Sequence, residues 1–162
     1  RPDCTVAITR TRPKRAMNLG ELIQQEPNAD TLRLWLQKIP YASYLGIKAE
    51  VHGNEILFVL PADEKLIGNP TLPAIHGGVV GAFMEQAAAL HLIAKMDDPR
   101  LPRIIDFSLD YLRPARLRDT YAQCTLTRQG RFIANVSITA WQEQSDRPNA
   151  MARAHFLIPG SQ

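Results

Sequence analysis

The chain of 162 residues is 45% hydrophobic and 22% charged, with 9 Gly and 12 Pro, a profile that fits one globular domain and excludes a fibrous or largely disordered chain. Its net charge of +3 is concentrated in residues 1–16, where Arg1, Arg10, Arg12, Lys14 and Arg15 face Asp3 alone; the remaining 146 residues carry about −1, too little for a nucleic-acid-binding face. No run of about 18 apolar residues is free of charge, and the first residues lack the apolar centre of a secretory signal, so no membrane span is expected and the cytoplasm is the default location.

Residues 1–16 read as a basic, disordered tail, residues 17–45 as N-terminal helices and residues 46–160 as the main folded unit. A short helix is expected from Leu19 to Glu26, stopped by Pro27. Asn28 or Asp30 then caps a second helix, in which Leu32, Trp35, Leu36 and Ile39 follow the i, i+3, i+4, i+7 spacing and Trp35 reads as a core anchor; Pro40 ends it. Two strands follow at 46–51 and 55–61, with the Gly53-Asn54 pair suited to a tight hairpin. Residues 63–75, with Pro70 and Pro73, read as irregular. The longest apolar run, HGGVVGAFMEQAAALHLIAKM, reads as one helix.

Beyond Pro99 the texture changes to Ile, Val, Thr, Tyr and Phe, with strands expected at 103–112, 119–128, 131–142 and 150–158 as a four-stranded meander. The class is therefore α+β with a mostly antiparallel sheet. A helix that is apolar on nearly all sides must be enclosed, and a strongly curved sheet wrapped around it does this. Gly81, Ala82 and Ala87 to Ala89 would let the strands approach closely. That arrangement is the hotdog fold. Cys4 and Cys124, far apart and without metal-ligand neighbours, read as free, unreactive thiols.

Glu85 is the one charged residue between Gly77 and Ala94. A carboxylate in such surroundings either sits at a solvated helix edge or serves as a general base or nucleophile in an enclosed site. At the start of the same helix stands His76-Gly77-Gly78. Free N–H groups and the positive dipole end there favour negative charge, and glycines admit a carbonyl close to them, a set suited to an oxyanion; the glycine pair can equally serve to relieve crowding against the sheet. His76 and Glu85 are nine residues apart, about 180° round a helix and about 13.5 Å along it. The two are either unrelated or belong to sites shared between two subunits, and a twofold interface would make two such sites.

The segments GNPTLPAIHGGVVGAFMEQAA and IDFSLDYLRPARLRDTYAQCTLTRQGRFIANVSITAW resemble the PaaI-like acyl-CoA thioesterases of the hotdog superfamily, over roughly residues 47–158. The resemblance implies an acyl-CoA hydrolase that needs no cofactor and assembles as a homodimer or homotetramer, with sites at the subunit interface. It places the catalytic carboxylate at Glu85, where close relatives usually have Asp, and the oxyanion N–H at Gly77 beside His76. Asn69 is the nearest match to the Asn that holds the carbonyl or the water, though it lies one residue further from His76 than in relatives. The Ser or Thr that positions water in some relatives falls on Ile104. Gly78 and Phe83 are expected to line the acyl site.

All nine basic residues after Lys95 are Arg, a side chain whose fork suits phosphate; Arg113, Arg116 and Arg131 are the candidate contacts to the coenzyme A phosphates. His52, His91 and His155 lack zinc-ligand spacing, and there is no G-x-S-x-G elbow or phosphate loop. A hotdog hydratase would need an Asp–His pair ahead of the helix, and the NPTLPAIH stretch lacks that Asp. The alternative from another class is a non-catalytic acyl-CoA sensor, marked by ligand binding without turnover, in which Glu85 would be an unexpected feature.

Overall fold

The computed structural model describes residues 18–160, so the basic tail and Cys4 lie outside the described residues. Asn18 opens α1 (Leu19–Leu22) with a capping box to Glu21. The helix ends four residues earlier than the run to Glu26 predicts. Asn28 caps α2 (Ala29–Lys38), its Oδ1 accepting from the N–H groups of Asp30 and Thr31. Trp35 is fully buried and its Nε1 donates to the Leu22 carbonyl at 3.0 Å, which satisfies the indole inside the core. Pro40 does more than end α2: it is the first residue of α3 (Pro40–Leu45), where its missing N–H is no loss and its fixed φ already suits a helix. Gly46 closes α3 at φ 71°.

β1 (Lys48–His52) and β2 (Glu55–Leu60) pair through a two-residue turn with Gly53 at φ 61°. The stretch expected to be irregular is instead ordered by its own backbone pairing. A turn of 3-10 helix (Glu64–Leu66) leads into β3 (Ile67–Asn69), which pairs with β4 (Ala74–Ile75). Then come α4 (Gly77–Lys95), β5 (Arg103–Tyr111), β6 (Thr120–Gln129), β7 (Ile133–Trp141) and β8 (Ala150–Leu157).

The main sheet has the order β1-β2-β6-β7-β8-β5, and every pairing in it is antiparallel. The expected four-stranded meander needs one correction. Only β6, β7 and β8 follow one another; β5 lies at the far edge beside β8. The antiparallel ladder sets one face of β6–β8 against α4, and that face is lined with small side chains. Ala122, Ala140 and Ala150 form one row across the three strands, and all three are buried. Small residues there let the helix lie close to the strands. Phe83, Met84, Leu90 and Leu92 of α4 are fully buried, each contributing on the order of 2 kcal/mol. Together with Leu32, Trp35 and Leu45 from the N-terminal helices they form one continuous core.

α4 is long and apolar enough to cross a bilayer by length and composition, yet its Val80–Ile93 face is packed inside this core. The sheet does not enclose the helix on all sides, however. Gly78, Val79, Ala82, Glu85, Gln86 and Ala89 make a stripe that stays partly open. The stripe runs beside edge strand β5: a Cβ on Gly81 would stand 3.1 Å from Leu109 Cδ2.

Candidate active site

The start of α4 is built by three contacts. His76 is the N-cap, and its Nδ1 accepts from the Gly78 N–H at 2.9 Å. The imidazole folds over the helix end because residue 78 has no Cβ, which would stand 3.0 Å from Nδ1. Gly68 of β3 makes the second contact: a Cβ there would be 2.6 Å from His76 Cα, so only glycine lets β3 pass this close. The third is Tyr111, the last residue of β5, whose hydroxyl donates to the Gly77 carbonyl at 2.7 Å.

The His76 carbonyl accepts from Val79 and Val80, and the Gly78 N–H is taken by the His76 side chain. The Gly77 N–H has no acceptor among the described residues. It is an orphan donor of the first helical turn, aligned with the helix dipole and therefore ready for an anionic or carbonyl oxygen. Gly77 lines a largely apolar cleft of about 380 Å³ with Val80, Tyr111, Leu112 and Arg113. A second cleft of about 250 Å³, lined by Arg113, Arg116, Arg118 and Arg147 with Glu143, shares Arg113, Pro114 and Asn149 with the first as a common wall. An apolar cleft thus lies beside a cationic one.

The sequence-derived candidates separate in space. His76, Gly77 and Gly78 stand together, with Arg113 and Arg116 at the same end of the sheet. Arg113 Nη1 donates to the Pro148 carbonyl at 2.8 Å, and Arg116 Nη1 to the Leu72 carbonyl at 3.1 Å. Arg131 sits at the β6–β7 turn, at the opposite end of β7, with its guanidinium over the Phe132 ring. β7 is nine residues long, so Arg131 is about 30 Å from Arg116 within one subunit. Glu85 is half-buried on the open stripe, about 12 Å along α4 from Gly77, too far to share one site within a subunit. Asn69 shapes the turn after β3, where its Oδ1 accepts from the N–H groups of Thr71 and Leu72. Phe83 is not in either cleft; it is fully enclosed on the face of α4 that meets the sheet, about 200° round from Glu85. Ile104 lies near the start of β5, opposite Phe156 and away from Gly77.

Other expectations resolve simply. Cys124 is buried, and burial pushes its thiol well above the usual range, so it is unreactive. His91 is buried with its Nδ1 unpartnered, and burial holds its pKa down to about 4, with Lys95 adding to the effect. His155 faces Asp106 at 3.7 Å on the outer side. Tyr111 and Arg147 were missed at the sequence level. For Tyr111 a signal existed, since Phe107, Leu109 and Tyr111 alternate along β5 and so share the helix-facing side. Arg147 lies in a loop, and nothing local links it to Arg113.

The profile of the Thioesterase superfamily matches residues 72–148, from just before β4 through α4 to the loop ahead of β8. The chain belongs to the thioesterase superfamily. Among superfamily relatives, the medium/long-chain acyl-CoA thioesterase YigI of Escherichia coli K12 is 26% identical over 125 residues, covering 68% of this chain and 81% of YigI. A solved protein of Chromobacterium violaceum is 41% identical, with a TM-score of 0.64 over 78% of this chain and 88% of that one. The BH2602 protein of Bacillus halodurans, solved with CoA, shares the fold at 20% identity and a TM-score of 0.66, over 75% of this chain and 80% of its own. The long α4 against a curved antiparallel sheet is the superfamily's hotdog architecture.

Proposed function

We propose that the protein hydrolyses acyl-CoA thioesters to a free acid and CoA, without a cofactor, at sites shared between two copies of the chain. The observation that carries this reading is the unpaired Gly77 N–H opening on an apolar chamber that adjoins an arginine-lined one. A thioester with an apolar arm and a polyanionic nucleotide end matches that pair of environments. The kinship with YigI and with a CoA-holding hotdog protein supports the same substrate class.

The two copies meet through β5, whose outer edge is unpaired and exposes Ile105 and Tyr111, and through the open stripe of α4 beside it. An antiparallel β5–β5 contact joins the two sheets into one and removes both bare edges. It also turns the second sheet end for end, which brings Arg131 of the partner subunit to the end that holds Arg113 and Arg116. Further pairing of dimers into a tetramer is compatible with this contact. The substrate's carbonyl oxygen accepts from the Gly77 N–H of one copy. Glu85 of the partner subunit either takes a proton from the attacking water or itself attacks the carbonyl carbon, forming an anhydride that water then opens. In both routes negative charge builds on the oxygen at Gly77, the C–S bond breaks, and the thiolate leaves to be protonated as free CoA.

Hydrolysis should be measured as thiol release across short-chain, medium-chain and aromatic acyl-CoAs. Turnover with at least one class is the expected result. Binding without turnover would replace the enzyme by the sensor.

Arg147 supplies a separate check on the cationic chamber, because its guanidinium has no partner among the described residues to lose. Arg147→Ala should raise KM for acyl-CoA about tenfold, the size of one partly exposed charge-assisted phosphate contact. It should leave kcat unchanged, and acyl-pantetheine, which lacks the nucleotide phosphates, should be hydrolysed equally by both proteins. An equal rise in KM for the two substrates would remove the phosphate assignment.

A further inference from the structure

Two glycines at the start of a helix make a poor foundation for a catalytic donor. Gly77 and Gly78 are free to leave helical φ and ψ values at little steric cost, and a donor that wanders stabilises an oxyanion less than one held in place. The structure supplies a restraint on each. The Gly78 N–H is tied to His76 Nδ1. The Gly77 carbonyl is tied to the Tyr111 hydroxyl at 2.7 Å, across 34 positions of sequence.

The Tyr111 contact is more than one hydrogen bond. A Cβ on Gly77 would stand 3.1 Å from both Cζ and the hydroxyl oxygen of Tyr111, so the ring occupies the space that any larger residue would take. One turn further along, Gly81 meets Leu109 from the same side of β5. Tyr111 is also the last residue of β5, and β5 is an edge strand held within the chain by β8 alone. The hydroxyl and the ring therefore fix the first turn of α4 to the end of the sheet.

We infer that Tyr111 is a positioning residue for hydrolysis: by holding the Gly77 carbonyl it anchors the 77–78 peptide, and with it the first turn of α4, to the end of β5, and so fixes where the Gly77 N–H of the adjoining 76–77 peptide stands against the thioester oxygen. This rests on the thioesterase reading, and it adds a side chain that acts through Gly77 and not on the substrate. The hydroxyl holds the donor's backbone in the free enzyme. Its removal therefore weakens stabilisation of the developing oxyanion more than binding of the ground-state thioester.

The test is Tyr111→Phe, which keeps the ring and removes one hydroxyl. The expected result is a fall in kcat of about tenfold, the worth of one neutral hydrogen bond. KM should stay within about twofold and the melting temperature within about 5 °C. In protein labelled with 15N-glycine, where nine glycines give few signals, exchange of the Gly78 amide, which is bonded to His76 Nδ1 and shares a peptide plane with the Gly77 carbonyl, should accelerate in the variant. A kcat unchanged within about twofold, or KM rising in step with the loss, would overturn the inference. If the wild-type protein hydrolyses no acyl-CoA, the thioesterase reading fails. Gly78 exchange then judges the restraint alone, and an unchanged rate overturns it as well.

Discussion

Replacing Glu85 by Gln should abolish thioester hydrolysis and leave the fold intact. The side chain is half-buried on the open stripe of α4 and makes no hydrogen bond or ion pair among the described residues, so the helix does not depend on its charge. Gln keeps the size and polarity but can neither take a proton from water nor attack a carbonyl. General acid–base groups contribute about 10²–10⁴ in rate, and a loss of that size in kcat with an unchanged circular dichroism spectrum is the expected outcome. Glu85→Ala should behave alike. Near-wild-type turnover in both variants would remove Glu85 from the mechanism.

The same variant tests the shared site. Gly77→Pro removes the donor N–H at a helix position that tolerates proline, although the Tyr111 ring must give way slightly. Each variant alone should be inactive. In a mixed dimer, one site combines Gly77 of the Glu85→Gln chain with Glu85 of the Gly77→Pro chain and is complete, while its twin has neither. Random mixing should therefore restore roughly a quarter of wild-type activity. Mixtures as inactive as the parents would place each site within a single chain.

The second large effect is on stability and concerns His91. Burial holds its folded pKa down at about 4, against an ordinary value of 6.5, and the Lys95 charge adds to the shift. The unfolded chain thus binds a proton between these values that the folded chain refuses, so stability rises with pH across that window. The neutral imidazole's contribution is fully present above about pH 6.5 and is lost as pH falls toward 4, a change of roughly 2–3 kcal/mol. His91→Met fills similar space without a titrating group. It also removes the unpartnered Nδ1, so at neutral pH it should cost little. Urea unfolding at about pH 7.5, above this window, and at about pH 4.5, near its lower end, should show a steep acid loss in the wild type and a shallower one in the variant. Parallel losses in the two proteins would mean that His91 is solvated.

Much of the architecture was legible along the chain. The Ile-, Val- and Thr-rich runs after Pro99 mark four real strands, and HGG followed by an apolar run marks α4 almost to the residue. What escaped depends on partners distant in sequence. The place of β5 beside β8 cannot be read from either strand, because alternation tells which face is buried and not which neighbour is paired. α3 was hidden because Pro40 signals a helix stop and a helix start equally well. The two-stranded pairing of β3 with β4 is too short for a hydrophobic period to show.

The site divides along the same line. Its helix start could be read because His76, Gly77 and Gly78 are consecutive and act on one another locally. The nine-residue spacing to Glu85 left two readings, unrelated residues or sites shared between two subunits. Asn69 was misjudged in part, since its side-chain oxygen holds its own turn, and Phe83 lies on the core side of α4. Tyr111 and Arg147 reach the site only through the tertiary fold.

The placement of β5 has a consequence for how the chain is assembled. β5 leaves the ribosome soon after α4, but its one partner within the chain, β8, is made only after β6 and β7. Until then β5 has no ladder on either side, and the tyrosine at its end has no fixed path to the helix. The sheet can close in sequence order from β6 to β8, whereas the edge that carries Tyr111 must wait for the final pairing. A chain cut before Ala150 would therefore lose two strands from the sheet, and the helix start would lose its restraint while every residue of α4 was still present.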